Sequence, residues 1–356
     1  MKLAIVASPF LRLETRGYGA VERVIIERTL ALSAAGYDVT LVATSLGAAQ
    51  PSRYVAIRPI KGRFPTTLEE KVRWSLSPRA YMHALPYLSA NLDDVDVVIN
   101  DGAPMDPFNT YLMARVLGVS RTLNILHGGL GIDKPWFRPF APLAKRLRYG
   151  VLNLGFCQVL ESRGYVASYT PSGTIFPPSS EVIVAPDNQL IHIGKVCEFK
   201  GTHIALQIAA KLGMPLVIIG PIGDRRYFEE RVRPRLGRTA SYLGEVPRER
   251  LIQYLRRSAA LVFTSTLDDP QGLVLLEALS YGVPIIASRP GPNSGVYDIL
   301  QEGENGVFVD PAAPDLHAIT RILTIDRKRI QEAAYENWDW SNVIIRHYRR
   351  VLAAPE

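Results

Sequence analysis

Cysteine is scarce in this chain. The two present, Cys157 and Cys197, are too few and too widely spaced for a disulfide framework or a metal-ligand motif, and a reducing cytoplasm fits. Long apolar runs are missing too. No stretch reaches the roughly 18 consecutive apolar residues of a membrane span, so no transmembrane helix is expected. The opening Lys2-Leu3-Ala4-Ile5-Val6-Ala7 is too short for the apolar region of a secretory leader and suits a buried first strand. No repeat of solenoid length occurs, which sets aside repeat architectures. Nucleic-acid modules are absent as well, so the net charge of +7 points to phosphates or to an anionic membrane surface.

What is present is enough apolar material for two folded halves. A chain of 356 residues with 47% hydrophobic content can fill two α/β domains, each with its own core. The stretch Tyr169–Asn188 is rich in Pro and Ser and marks the boundary. The expected domains are 1–172 and 173–337, with a terminal helix over 338–356.

The first half opens with strand, loop, helix and strand. The pattern predicts a helix from Val21 to Ala35 with Val24, Ile25, Leu30 and Leu32 on its apolar side, stopped by Gly36, then a strand over Val39–Ala43. The turn before this helix holds Gly17, Gly19 and Ala20. It lacks the third glycine of a dinucleotide fingerprint and suits either a phosphate loop or a tight strand-to-helix turn. Residues 46–92 are less informative, with a helix expected over Leu68–Leu88. Asp94 and Asp96 have the alternation of a metal-binding pair, but acidic residues before a Val/Ile run usually open a buried parallel strand, and that is the preferred reading. Asn100 and Asp101 then fall at the strand's C-terminal end. Leu123–Leu126 is a further short strand, ending in His127, Gly128 and Gly129. His127 is either a satisfied structural residue or a ligand group, and its place at a strand end favours the second. Lys134–Tyr149 interleaves aromatic and basic residues. A helix with a solvated basic face is expected there, with a membrane-surface contact as the alternative.

In the second half Leu190–Ile193 is a strand ending in Gly194 and Lys195. A short loop leads to Lys200, Gly201 and a helix through Lys211. Two lysines around one strand-to-helix turn can both reach a diphosphate, or can simply be solvated. Pro215–Pro221 and Ala240–Val246 carry further strands, and Arg225–Arg238 is a charged helix and loop. An acidic loop with Asp268, Asp269 and Pro270 then runs into Gly272 and a helix over Leu273–Leu279. Its N-terminus offers unpaired N–H groups and a partial positive charge, and Glu277 can accept hydrogen bonds from vicinal hydroxyls. This shape suits a phosphate and a ribose; the bland alternative is an ordinary αβ unit with one partly buried Glu. Leu316–Ile322 is helical, and Trp338-Asp339-Trp340-Ser341 starts the last helix with Ser341 as its N-cap.

These motifs resemble those of the family 4 retaining glycosyltransferases. Asp269 and Glu277 hold the spacing of the family's donor-site signature, and the resemblance runs on through Asn305–Pro311. Gly17–Arg23 is similar to the family's N-terminal glycine loop, Gly194–Gly201 to its diphosphate-binding turn, and Ala240–Val246 to the turn beside the base. The chain departs from the family at four positions: Asp for Glu at 269, Gln for Phe at 271, Ala for Gly at 20, and Lys for Arg at 195.

The resemblance implies a GT-B fold, with two Rossmann-like α/β domains facing each other across a cleft and the terminal helix packed back on the first. Acceptor groups come from the first domain and donor groups from the second. His127, Lys195, Lys200 and Asp269 are the implied catalytic set. Gly19, Ala20, Gly194, Lys195, Lys200, Val246, Asp269, Gly272, Leu273 and Glu277 bind the donor. No metal and no separate cofactor are implied; the nucleotide sugar, such as a UDP-sugar or GDP-sugar, is the substrate. The acceptor class is a sugar, a polysaccharide or a lipid-linked carrier, with the enzyme in the cytoplasm or at the inner membrane surface. Two other functions fit the same residues: a GT-B sugar-nucleotide epimerase, and a non-catalytic nucleotide-sugar-binding protein.

Overall fold

Short runs of Val, Ile, Leu and Ala form parallel strands throughout the chain, because a strand covered on both faces needs apolar residues at every position. The computed structural model describes residues 1–8, 11–13, 19–57, 94–101, 120–128, 138, 141–182 and 185–353. The chain divides into two units between Ser172 and Gly173, and the segment from Val343 onward belongs with the first.

The first unit holds β1 (Lys2–Ala7), β2 (Asp38–Ala43), β3 (Arg53–Ala56), β4 (Val97–Asp101), β5 (Thr122–Leu126), β6 (Arg148–Val151) and β7 (Val166–Tyr169). They form one parallel sheet in the order β3-β2-β1-β4-β5-β6-β7. Leu3 to Ala7 are fully buried, as a central strand requires. Helix α1 (Ala20–Ala34) buries Val24, Ile25 and Leu32 as expected, leaves Leu30 only partly covered, and also buries Arg28. Arg148 and Tyr149, read above as part of a basic helix, lie instead on β6, where the parallel ladder to β5 extends the backbone. Arg148 donates to the carbonyls of Ser120 and Val351. The helix expected over Leu68–Leu88 lies outside the described residues, as does Gly129. Helix α2 (Leu154–Ser162) is capped by the Asn153 side chain, which accepts from Phe156 N at 2.7 Å.

The second unit holds β8 (Leu190–Ile193), β9 (Leu216–Ile219), β10 (Ala240–Tyr242), β11 (Ala260–Phe263), β12 (Ile285–Ser288) and β13 (Gly306–Val309), in the order β10-β9-β8-β11-β12-β13. Apolar residues on its two faces build two cores, one under α3 (Thr202–Leu212) and one under α5 (Leu273–Ser280). Between those helices in sequence lies α4 (Arg248–Arg257); α6 (Leu316–Leu323) and α7 (Arg327–Trp338) follow. The last turn starts differently from expectation. Asp339 Oδ1, rather than Ser341, caps the helical stretch from Trp340, accepting from Ser341 N at 2.9 Å. The carboxylate sits one residue before that stretch, where an N-cap must be.

Both sheets change direction of progression at their centre, between β1 and β4 and between β8 and β11. In such sheets ligands bind beyond the C-terminal ends of the strands flanking that point. Asp101 ends β4, Gly194 and Lys195 follow β8 and Asp269 lies in the loop after β11, whereas His127 follows β5, the next strand out.

Candidate functional site

In the second unit two loops meet beyond β8 and β11. Gly201 adopts φ +66°, and a Cβ there would sit 2.1 Å from the Thr264 carbonyl oxygen. Only glycine allows that approach. Thr264 Oγ1 donates to the carbonyls of Lys200 and Gly201 at 3.1 and 2.9 Å, and Thr266 N donates to Phe199 O at 2.8 Å. Beneath this seam lies His192. Its Nδ1 faces Val262 O at 3.0 Å and its Nε2 faces Thr202 Oγ1 at 3.2 Å, so Nδ1 carries the proton and Nε2 accepts. Burial pushes its pKa down to about 4.

The seam brings the tip of Lys200 onto the Asp269 carboxylate as an ion pair. The other Asp269 oxygen accepts from Gly272 N at 2.8 Å. Gly272 has φ +69° and opens α5, so the carboxylate holds the helix start in place. Asp269, and not its neighbour Asp268, therefore meets Lys200 and the start of α5. Asp268 turns to another loop, where Asn293 N donates to it at 3.1 Å. One turn into α5, the buried Glu277 pairs with Arg248, the first residue of α4. Residue-by-residue reading missed Arg248. Its signal was present: a basic side chain two positions after Val246, directly after Pro247 at a helix start. Val246 is partly buried beside Gly244, which has φ +70°.

Lys195 stands apart from this junction. It is exposed, its methylenes cover Gly223, and no hydrogen bond or ion pair among the described residues joins it to Lys200 or Asp269. Gly194 has open space where a Cβ would project. The structure therefore joins Lys200, Asp269, Gly272 and the start of α5 directly, and Glu277 with Arg248 as a second pair.

In the first unit Asp101 ends β4 and His127 follows β5. Arg28 reaches Asp101 from α1, with Nη1 at 2.7 and 2.6 Å from its two oxygens. His127 Nε2 is 2.7 Å from Asp101 Oδ1. Burial alone would raise the carboxyl pKa, but the Arg28 charge and the His127 hydrogen bond hold it below the usual range. Arg28 also lies 5.6 Å from the centre of the Tyr348 ring. Beside them Asn100 Nδ2 donates to Asn124 Oδ1 at 2.8 Å, locking the two strand ends together. Gly128 has no described atom within 4 Å of a Cβ position, its chain neighbours aside. Gly19 precedes α1 with φ −157°, an extended value open to any residue, and Ala20 is the first helical residue. Gly17 and Tyr18 lie outside the described residues.

The acidic pair considered for a metal has another partner. Asp94 takes Lys2 Nζ at 2.8 Å and Asp96 takes Lys2 N at 2.7 Å. These carboxylates fix the start of β1.

Residues 178–337 match the family model described as Glycosyl transferases group 1. A D-inositol 3-phosphate glycosyltransferase of Corynebacterium urealyticum is 30% identical over 187 residues, covering 46% of this chain and 43% of that protein. The chain spans less than half the length of such curated relatives. Solved structures extend the likeness in fold to nearly the whole chain. AviGT4, a glycosyltransferase of avilamycin A biosynthesis, superposes with TM-score 0.66 at 21% identity, covering 99% of this chain and 98% of its own. Anabaena HepE in complex with UDP-glucose does so with TM-score 0.68 at 15% identity, covering 99% and 100%. The two parallel-sheet α/β units are those of the GT-B fold class.

Proposed function

We propose that this chain is a retaining glycosyltransferase that moves a sugar from a nucleoside-diphosphate sugar to a hydroxyl acceptor without a metal. The observation that carries the reading is the junction of Lys200, Asp269 and the Gly272 N–H at the start of α5. It places a cation and a helix N-terminus at the switch point of the second sheet, where an anionic group is best accommodated.

The charges of the donor set the roles. As the glycosidic bond breaks, negative charge grows on the leaving diphosphate. Lys200, Lys195 and the N–H groups of Gly272 and Leu273 stabilise it. The arriving diphosphate competes with Asp269 for Lys200, and the released Asp269 carboxylate accepts from donor-sugar hydroxyls. Ribose hydroxyls compete with Arg248 for Glu277 in the same way. Val246 and Gly194 line the base and phosphate path. In the first unit His127 accepts a sugar hydroxyl, with Gly19 and Ala20 at the glycine loop. The acceptor oxygen attacks the anomeric carbon on the face the diphosphate leaves, and a donor phosphate oxygen takes its proton. Retention of configuration follows. This step rests on analogy with the fold family.

UDP-sugars and GDP-sugars are the donor candidates, and a sugar, a polysaccharide or a lipid-linked carrier is the acceptor. Among the described residues no helix is long and apolar enough to cross a membrane. The net charge of +7 supports peripheral contact with an anionic surface.

Incubation with a panel of nucleotide sugars, with and without sugar acceptors, tests the reading. Nucleoside diphosphate release and a product of unchanged anomeric configuration by NMR are expected. Interconversion of the donor without acceptor would identify an epimerase instead. Binding with no turnover of any kind would identify a sensor.

A further inference from the structure

Arg28 and Asp101 are fully buried, so neither side chain can touch a ligand. His127 keeps 16% of its side chain exposed, and it is the group through which this buried pair reaches the end of the sheet. We infer that Asp101 is a positioning residue that fixes His127 as its Nε2–H tautomer and leaves Nδ1 as a hydrogen-bond acceptor for a ligand hydroxyl.

The chemistry follows from donor and acceptor inventory. An ionised carboxylate only accepts hydrogen bonds. Asp101 is ionised, because Arg28 Nη1 contacts both of its oxygens at 2.7 and 2.6 Å inside the fold. The 2.7 Å contact from His127 Nε2 to Asp101 Oδ1 therefore requires a proton on Nε2. In a neutral imidazole the other nitrogen is then a bare acceptor. Among the described residues Nδ1 has no hydrogen-bond partner.

This arrangement selects the ligand group. A phosphate oxygen offers no proton to Nδ1, whereas an alcohol does. With the imidazole neutral, Nδ1 pairs with an alcohol hydroxyl and not with a phosphate oxygen; an imidazolium, protonated on both nitrogens, would do the reverse. The carboxylate behind the ring also makes Nδ1 a stronger acceptor, as it does for imidazoles held by carboxylates elsewhere. Such an acceptor favours positive charge growing on a sugar ring. Arg28 Nη1 contacts both oxygens of Asp101 and shares Oδ1 with His127 Nε2, so the carboxylate is held from the buried side while it accepts from the imidazole. The identity of the ligand rests on the sugar-transfer reading, but the tautomer does not.

Long-range ¹H–¹⁵N NMR of the imidazoles in the full chain at neutral pH reads the tautomer directly. The expected pattern for His127, identified by its loss in His127→Gln, is that of Nε2–H. An Nδ1–H or a doubly protonated pattern in the wild type overturns the proposal even if sugar transfer is found, and an Nε2–H pattern upholds the tautomer even if no transfer is detected. Kinetics add the functional half. In Asp101→Asn the amide can donate to Nε2, which moves the proton to Nδ1. Transfer should then lose about tenfold or more in kcat, with donor KM changed less than about threefold. Adding His127→Ala to Asp101→Asn should cost less than about threefold more, because the two act as one unit. A full His127→Ala loss in the Asp101→Asn background overturns the coupling. If Asp101→Asn does not fold, the paired Arg28→Gln, Asp101→Asn variant removes both buried charges together and serves in its place.

Discussion

At the scale of single residues, charged side chains in the second unit are paired with each other in ways that a bound donor could exchange. Glu277 is buried and holds Arg248. If it also grips ribose, Glu277→Ala removes hydrogen bonds to a charged acceptor, each worth about 1.5–3 kcal/mol. Donor affinity should fall at least tenfold by calorimetry, with the fold intact by circular dichroism. Unchanged affinity in a folded variant removes Glu277 from the site. Lys195 makes a complementary case. It is exposed and free of ion pairs among the described residues, so Lys195→Arg keeps the charge and adds a bidentate grip. Steady-state rates should stay within about threefold of wild type. A collapse in rate would show that the compact ammonium, not the charge, is what the position requires.

At the scale of elements, the seam between the β8 and β11 loops rests on a neutral His192. The folded imidazole titrates near 4, below the ordinary value of 6.5. The unfolded chain therefore takes up a proton that the folded chain refuses as pH falls from about 7 to 4. Stability from this group is full above that window and declines through it, by up to about 3 kcal/mol. His192→Gln should flatten the fall in unfolding free energy between pH 7.5 and pH 4.5, measured by urea titration. Parallel profiles for the two proteins would contradict the assignment. Local elements were legible in the chain itself. The start of α5 at Leu273 and the strand over Leu190–Ile193 follow from Gly and apolar runs that act over a few residues. What the chain did not reveal are pairings across long separations: Arg28 with Asp101, Lys200 with Asp269, and Arg248 with Glu277. These leave no periodicity, because the partners lie on different elements and meet only when the sheets form. The cap at Asp339 shows the same limit at short range. Asp339 and Ser341 are both good cap residues, and only the backbone path chooses between them.

At the scale of the molecule, both parallel sheets carry candidate residues beyond the C-terminal ends of their central strands. The family match covers the second unit, so the reading is best supported there. The first unit was also the harder half to read, since residues 46–92 carry few motifs. In the proposed reading charge stabilisation by lysine and a helix start takes the place of a metal, and Asp94 and Asp96 are held by Lys2. Sugar transfer should survive excess EDTA with rates within about twofold. Activity abolished by EDTA and restored by Mg²⁺ or Mn²⁺ would contradict this and direct attention back to the acidic residues.

The most direct test of the account is the kinetics of Lys200→Ala with the donor that the nucleotide-sugar panel identifies. If Lys200 stabilises charge that grows on the leaving diphosphate, it acts more in the transition state than in the ground state. The account predicts a loss of about 100- to 1000-fold in kcat, with a smaller rise in donor KM. A folded Lys200→Ala enzyme with wild-type kcat would contradict it, and would mean that the diphosphate does not lie at the start of α5.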